Sequence, residues 1–192
     1  MENLPQSKSE LRRDMRSRRR ALPETKRRQA AGKIAERLAS LPSWRLAQRI
    51  AVYLANDGEI DPSIVVNTLR AEGRTPYLPV IQADRSLRFA RWEAGEHLGR
   101  NRFGIPEPSG DPRPASELDV ILLPLVAWDR QGNRLGMGGG FYDRALANAP
   151  EVLKVGLAYE CQQVSTLPAQ SWDVQLDFIV TESTLYNCQG DH

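Results

Sequence analysis

Apolar and polar positions change period several times along this chain of 192 residues, and each change marks an element. Residues 8–21 and 24–40 read as two amphipathic helices. Leu11, Met15 and Leu22 fall near one face of the first, and Ile34, Leu38 and Leu41 keep helical spacing in the second. Leu22-Pro23 separates them, with Pro23 suited to a first helical position, and Pro42 marks the end of the second. Residues 49–54 (RIAVYL) are rich in β-formers and read as the first strand, and Asn56-Asp57-Gly58 then signals a turn. Asp61 is placed to cap a further helix, with Pro62 at its first position and Gly73 closing it. Strands follow at 77–81 and 87–92, and the Pro- and Gly-rich span 99–114 reads as loop. Residues 119–126 form a continuous apolar run, as expected of a strand buried on both faces. A helix from about 140 to 147 and strands at 154–159 and 178–181 complete the pattern. Strands alternate with helices, which predicts an α/β fold with a mostly parallel sheet. Ligands of such sheets bind at the carboxyl ends of the strands.

The chain is expected to form a single domain over 1–192, with a basic helical arm at 1–42 and an α/β body at 49–181. Hydrophobic content of 41% and charged content of 26% suit a globular protein with a useful core. The N-terminus is polar and then Arg-rich, with no apolar h-region, so no signal peptide is expected. The apolar stretch 120–128 contains Pro124 and is too short to span a bilayer. Cys161 and Cys188 form no metal-ligand pattern, and reduced thiols in a cytoplasmic protein are the simplest expectation. Net charge is only +2, but residues 1–50 hold 14 Lys/Arg against 5 Asp/Glu, leaving the remainder at 12 against 19. A basic arm on an acidic body suits nucleic acid, a membrane surface or an anionic small ligand. A solvated helix face accounts for most of these arginines, including Arg18 to Arg20, Arg27 and Arg28.

The chemistry concentrates in Arg134-Leu-Gly-Met-Gly-Gly-Gly-Phe-Tyr-Asp-Arg144, which leaves the strongest strand at its carboxyl end. Gly136, Gly138, Gly139 and Gly140 admit conformations and close approaches that other residues do not. A loop of this kind opening onto a helix offers N–H donors to an anion. Arg134 and Arg144 add cationic forks, and Asp143 is a hard oxygen ligand of the kind Mg²⁺ prefers. The combination reads as a nucleotide site. It is not a P-loop, because no Lys-Ser or Lys-Thr follows, and Phe141 stands where the dinucleotide fingerprint needs its third glycine.

Several stretches together resemble the 5-formyltetrahydrofolate cyclo-ligase family. They are Lys8-Ser-Glu-Leu-Arg12, Gly58-Glu59-Ile60, Phe103-Gly-Ile-Pro-Glu-Pro108, residues 124–129, residues 132–144, and Trp172-Asp173 with Asp177. They run in the family's order over nearly the whole chain, and the long glycine motif is the specific one. The resemblance implies a three-layer α/β/α sandwich akin to small sugar-phosphate isomerases, with the helical arm added. It also implies a reaction in which 5-formyltetrahydrofolate and ATP give 5,10-methenyltetrahydrofolate, ADP and phosphate with Mg²⁺, by a cytoplasmic, monomeric enzyme.

Carried over residue by residue, the resemblance places Lys8, Ser9, Glu10, Leu11 and Arg12 on ATP, with Lys8 and Arg12 on its phosphates. Arg134, Leu135, Gly136, Met137, Gly138, Gly139, Gly140, Phe141 and Tyr142 form the nucleotide loop, and residues 137–141 also line the folate site. Asp143 and Asp173 correspond to metal-binding carboxylates, while Asp177 starts a strand. Arg144 and Tyr142 are the expected catalytic side chains. Leu54, Glu59 and Phe103 complete the folate site; Glu59 can accept hydrogen bonds from a pterin's amino and ring N–H groups. Read without the resemblance, Leu54 and Phe103 are core residues, Glu59 a turn carboxylate and Asp173 a surface turn residue. Phe141 replaces a commoner tyrosine and Trp172 a common histidine, whereas His97 and His192 lie outside every motif. Two other readings remain: a nucleic-acid-binding protein using the basic arm, and a sugar-phosphate isomerase. The first leaves the glycine loop without a purpose and has few aromatics for base stacking. The second wants an acid–base pair for which no residues stand out.

Overall fold

The computed structural model describes residues 7–190; His192 and the first six residues of the arm lie outside them. The elements run α1 (Lys8–Arg20), α2 (Glu24–Ser40), α3 (Pro42–Leu46), β1 (Ile50–Ala51), α4 (Ser63–Ala71), β2 (Pro76–Ile81), β3 (Leu87–Arg91), β4 (Gly99–Arg100) and β5 (Pro106–Glu107). After them come β6 (Val120–Pro124), β7 (Ala127–Trp128), β8 (Arg134–Leu135), α5 (Phe141–Leu146), β9 (Leu153–Leu157), β10 (Phe178–Val180) and β11 (Leu185–Asn187). Seven strands form one sheet in the order β11-β10-β9-β6-β1-β2-β3. The five central strands are parallel and the two edge strands antiparallel, so the α/β reading with a mostly parallel sheet holds.

Alternation along the strands divides the core. Val120 and Leu122 of β6 pack with Ile34, Leu38, Trp44, Val65 and Leu69 of the helices α2, α3 and α4. Ile121 and Leu123 point the other way, towards Leu146, Ala149 and Leu118. A central strand must be apolar at every position when both sheet faces are covered, which is why the run at 119–126 shows no period. Full burial of side chains such as Ile34 and Leu38 contributes about 1.5–3 kcal/mol each. α1 stands apart from the sheet faces, resting Leu11 and Met15 on Ala127, Leu135 and Leu167.

Several expectations are corrected. Pro42 does not only end the second helix; it opens the short α3 at its first position. The sheet pairing of the expected first strand is confined to Ile50–Ala51, extended by Val52 N–H to Tyr77 O at 2.8 Å. The expected strand 119–126 ends at Pro124, and the chain then forms the hairpin β7–β8. The loop at 99–114 contains the small hairpin β4–β5. β11 was not anticipated, because its polar and intermediate residues pair only at the sheet edge. Arg19 is no part of a solvated face: it is 0% exposed. It continues the stripe of Leu11 and Met15, where apolar spacing gives no warning of a cation.

Asp177 has a structural part. Its Oδ2 accepts Lys154 N–H at 2.7 Å and lies 3.1 Å from Lys154 Nζ, tying β9 to the start of β10. Both partners are buried. Cys161 and Cys188 are free thiols. No helix among the described residues is long and apolar enough to cross a membrane.

Candidate active site

A cavity of about 960 Å³ opens where β2 and β6 end, its wall taking in Pro79, Ile81 and Pro124 from those carboxyl ends. The sheet therefore places it where parallel α/β sheets place ligands. α1 and the glycine loop form one side, and the β4–β5 hairpin with β2 and β3 forms the other.

The loop begins at β8, whose Arg134 is almost fully buried. Arg134 donates to Asp143 Oδ1 at 2.5 Å and to Val174 O, and Val174 N–H also reaches Asp143 Oδ1 at 3.2 Å. Burial lowers the Arg134 pKa, and the charges of Asp143 and Asp173 act against that shift. Glycine is needed at Gly138 and Gly140, whose φ values of 100° and 62° lie in the left-handed region. The loop carbonyls are drawn away by arginines: Arg12 Nε donates to Gly136 O at 2.8 Å and Arg144 Nη1 to Gly139 O at 3.0 Å. With these two carbonyls engaged, the loop's backbone is better suited to donate N–H groups to an anion than to repel one.

α1 delivers two cations from successive turns. Ser7 and Glu10 cap the helix reciprocally, Glu10 accepting Ser7 N–H at 2.9 Å. That fixes the first turn so that Lys8 and Arg12 face the cavity together. Lys8 Nζ lies 3.7 Å from Asp173 Oδ2, which also accepts Gln170 N–H at 2.8 Å. Asp173 is thus both a turn residue and part of the wall, supported by a backbone group where a preceding histidine is missing.

Glu59 is largely buried and lines the same cavity. Burial pushes its carboxyl upward, opposed by the hydrogen bond from Asn56 N–H and the charge of Arg19. Tyr142 is half-buried, and burial with the Glu59 charge raises its hydroxyl above the usual range. Beside Glu59 stands Asp57, held by Arg16 at 2.6 Å, Arg19 at 2.9 Å and Arg20. Burial alone would raise the Asp57 carboxyl, but those hydrogen bonds outweigh it and hold the pKa at about 2. A carboxyl depressed in the folded state contributes stability that is complete above its ordinary value near 4 and lost as pH falls through about 2. Asp57→Asn should therefore flatten the decline in stability between about pH 4 and pH 2. Urea midpoints at stepped pH check this, and an unchanged decline counts against it.

Most expected site residues meet in this one cavity: Lys8, Arg12, Glu59, Asp173 and the whole stretch from Arg134 to Arg144. Five do not reach its wall. Ser9 is exposed beside Ser7, Glu10 is engaged in the cap, and Leu11 is buried against β7 and β8. Leu54 packs against the α2–α4 side of the core. Phe103, 52% exposed at the tip of the β4–β5 hairpin, is not the core phenylalanine that spacing alone favours. Its neighbour Ile105 does line the cavity. Sequence reasoning missed Glu107, which also lines it and accepts Ile81 N–H at 2.8 Å and Asn101 Nδ2 at 2.7 Å. The segment Phe103-Gly-Ile-Pro-Glu-Pro108 held the signal, and the even spacing of Pro79 and Ile81 pointed to a shared face.

Comparison with known proteins agrees over nearly the full length. The model of the 5-formyltetrahydrofolate cyclo-ligase family matches residues 5–182. The 5-formyltetrahydrofolate cyclo-ligase of Haemophilus influenzae is 39% identical over 89% of this chain and 95% of its own length. The Escherichia coli enzyme of that name is 40% identical over 90% and 98%. An NMR structure of Aquifex aeolicus 5,10-methenyltetrahydrofolate synthetase superposes with a TM-score of 0.86 at 34% identity, covering 96% of this chain and 94% of that one. A 5,10-methenyltetrahydrofolate synthetase from Mycoplasma pneumoniae gives 0.76 at 26% identity, covering 92% and 99%.

Proposed function

The chain belongs to the 5-formyltetrahydrofolate cyclo-ligase family, and from that premise we propose how it closes 5-formyltetrahydrofolate to 5,10-methenyltetrahydrofolate: by transfer of the ATP γ-phosphoryl group to the formyl oxygen. One observation carries the mechanism. Cations, a glycine loop and two aspartates share a single cavity with Glu59 and the apolar side chains of Ile81, Leu87 and Ile105.

The formyl oxygen is a poor leaving group until it is phosphorylated. Its attack on the γ-phosphorus breaks the bond to ADP and leaves an iminium phosphate. N10 then bonds to the formyl carbon and loses its proton, and phosphate departs with the oxygen. Such transfers depend on positioning and charge neutralisation more than on covalent help from the protein. Lys8, Arg12 and the N–H groups of residues 136–140 hold the phosphates, and Arg144 neutralises charge that grows as the phosphoryl group moves. Tyr142 orients the reacting oxygen through its hydroxyl. Glu59 accepts hydrogen bonds from the pterin, with Ile81, Leu87 and Ile105 against its ring and the exposed Phe103 able to cover it. The pterin carries an amino group and ring N–H donors along one edge, which a carboxylate such as Glu59 can accept.

The donor set suits Mg²⁺. Asp143 and Asp173 line the same wall, and no group of three His, Cys, Asp or Glu side chains is assembled for a metal among the described residues. Mg²⁺ keeps several waters and binds through one or two carboxylates with substrate phosphates. When bound it would supply charge neutralisation at the β- and γ-phosphates. We place the enzyme in the cytoplasm as a monomer, with ATP and 5-formyltetrahydrofolate as its ligands.

Near-ultraviolet absorbance of methenyltetrahydrofolate tests this reading. Purified protein with 5-formyltetrahydrofolate should show a rise that requires both ATP and Mg²⁺. A rise without ATP would overturn the phosphoryl route. Glu59→Gln should raise the folate KM about tenfold with the ATP KM little changed, since a carboxylate's charge-assisted hydrogen bonds are lost from one end only. An unchanged folate KM would return Glu59 to the part of a turn carboxylate.

A further inference from the structure

We infer that Arg19 and Asp57 form a positioning clamp, which fixes the Glu59 carboxylate at the folate end of the cavity in register with the nucleotide-facing turns of α1. The inference rests on the site assignment proposed above and adds residues that contact neither substrate.

Lys8, Arg12, Arg16 and Arg20 recur every fourth residue and so form one cationic stripe along α1. The stripe is divided between two tasks. Its first two members face the cavity beside the glycine loop, and its last two pair with Asp57. Lys8 and Arg20 are twelve residues apart, about 18 Å of helix, so one rigid element reaches from the glycine loop to the turn before Glu59.

Arg19 completes the connection from the adjacent, buried face. Its Nε donates to Asp57 O at 2.8 Å and its Nη2 to Asp57 Oδ2 at 2.9 Å. The same Nη2 lies 3.7 Å from Glu59 Oε1, and Nη1 donates to Leu125 O at 3.1 Å, just beyond β6. One guanidinium thus joins α1, the end of a central strand and the turn bearing Glu59. Asp57 takes a left-handed conformation with φ of 53°, uncommon for a residue with a side chain, and it precedes Gly58 at 76°. The backbone accepts that conformation while its carboxylate and carbonyl are both held by Arg19. An apolar residue at position 19 would extend the Leu11 and Met15 stripe without the desolvation cost of a buried cation. The buried charge is therefore explained by what it holds. Small errors in placing reacting groups are costly to rate, so a shared mount for the two substrate ends has a direct consequence for turnover.

Steady-state KM values for 5-formyltetrahydrofolate and for ATP test the clamp in Arg19→Gln, Arg19→Lys and Arg16→Gln, measured beside Glu59→Gln. Arg19→Gln should raise both KM values about tenfold, because its loss frees both the turn and the helix. Arg19→Lys keeps the charge but cannot span three acceptors, and should recover part of the loss. Glu59→Gln should raise the folate KM alone. Should Arg19→Gln fail to fold, Arg16→Gln decides, since that side chain is only half-buried; a rise of about threefold or more in both KM values supports the clamp. Wild-type KM values in folded Arg19→Lys and Arg16→Gln, with Glu59→Gln still impaired for folate, would overturn it and leave the site assignment standing. A wild-type folate KM in Glu59→Gln would overturn the assignment and the clamp with it.

Discussion

Asp143→Asn is expected to lower kcat/KM by about 100-fold or more and to leave the folate dissociation constant close to wild type. Asp143 stands at the junction of the glycine loop and α5, with both hydrogen bonds from Arg134 and Val174 directed to Oδ1. Loss of the carboxylate removes a hard ligand where metal-bound phosphate is proposed, a contact formed only with nucleotide present. Losing one such charge-stabilising contact typically costs about 10²–10³ in rate. The change also leaves the buried Arg134 without its ion-pair partner, so melting temperature should fall as well. Equilibrium folate binding, a Mg²⁺ titration of turnover and thermal unfolding separate these effects. Equal loss of folate affinity would count against the metal assignment, as would full activity at ordinary Mg²⁺.

Gly132→Ala should be among the most damaging single changes outside the cavity. An added Cβ would meet Leu176 O at 2.6 Å and Cys188 Cβ at 2.9 Å, on a backbone held at φ of 82°. Neither neighbour can yield easily, because Leu176 N–H is bonded to Gly132 O at 2.9 Å and Cys188 N–H to Asp177 O at 2.9 Å. Strain and overpacking together are worth about 2–4 kcal/mol, or roughly 10 °C in melting temperature for a chain of this size. The effect reaches the site through Asp129. That buried carboxylate accepts N–H groups from Gln131, Asn133 and Leu167 and the side-chain amide of Asn133, fixing the turn that delivers Arg134. Activity per folded molecule should therefore fall too. A melting temperature within about 2 °C of wild type would show that the 176 segment can move aside.

How far the sequence could be read depends on where each signal is stored. The run at 119–126 announced a buried central strand because both sheet faces are covered by helices or helical turns, which leaves no polar positions to break it. The glycine loop was legible because four glycines, two arginines and an aspartate within eleven residues have little structural use together. Glu59 was identified only through the resemblance, since spacing alone gives an acidic residue after a turn. Glu107 lies in a matching segment but carries no local signal of its place, because its approach to the cavity depends on the β4–β5 hairpin folding beside β2. Leu11 and Leu54 went the other way: each lies in a matching or neighbouring segment, yet packing claims both.

By itself the sequence determined the alternation of strands and helices, the position of the glycine loop and the residue types gathered in it. These are local properties, written in spacing and side-chain character over a few turns of chain. Only the tertiary structure showed that Lys8 and Arg12, assigned to phosphates through the resemblance, share a cavity wall while Arg16, Arg19 and Arg20 hold Asp57. Apart from the resemblance, Lys8, Arg12, Arg16, Arg19 and Arg20 read alike in a basic helix. They differ because α1 lies with one end on the glycine loop and the other on Asp57, contacts between segments roughly 40 to 125 residues apart. Electrostatic energy depends on distance in space and on burial, and neither can be read from order along the chain.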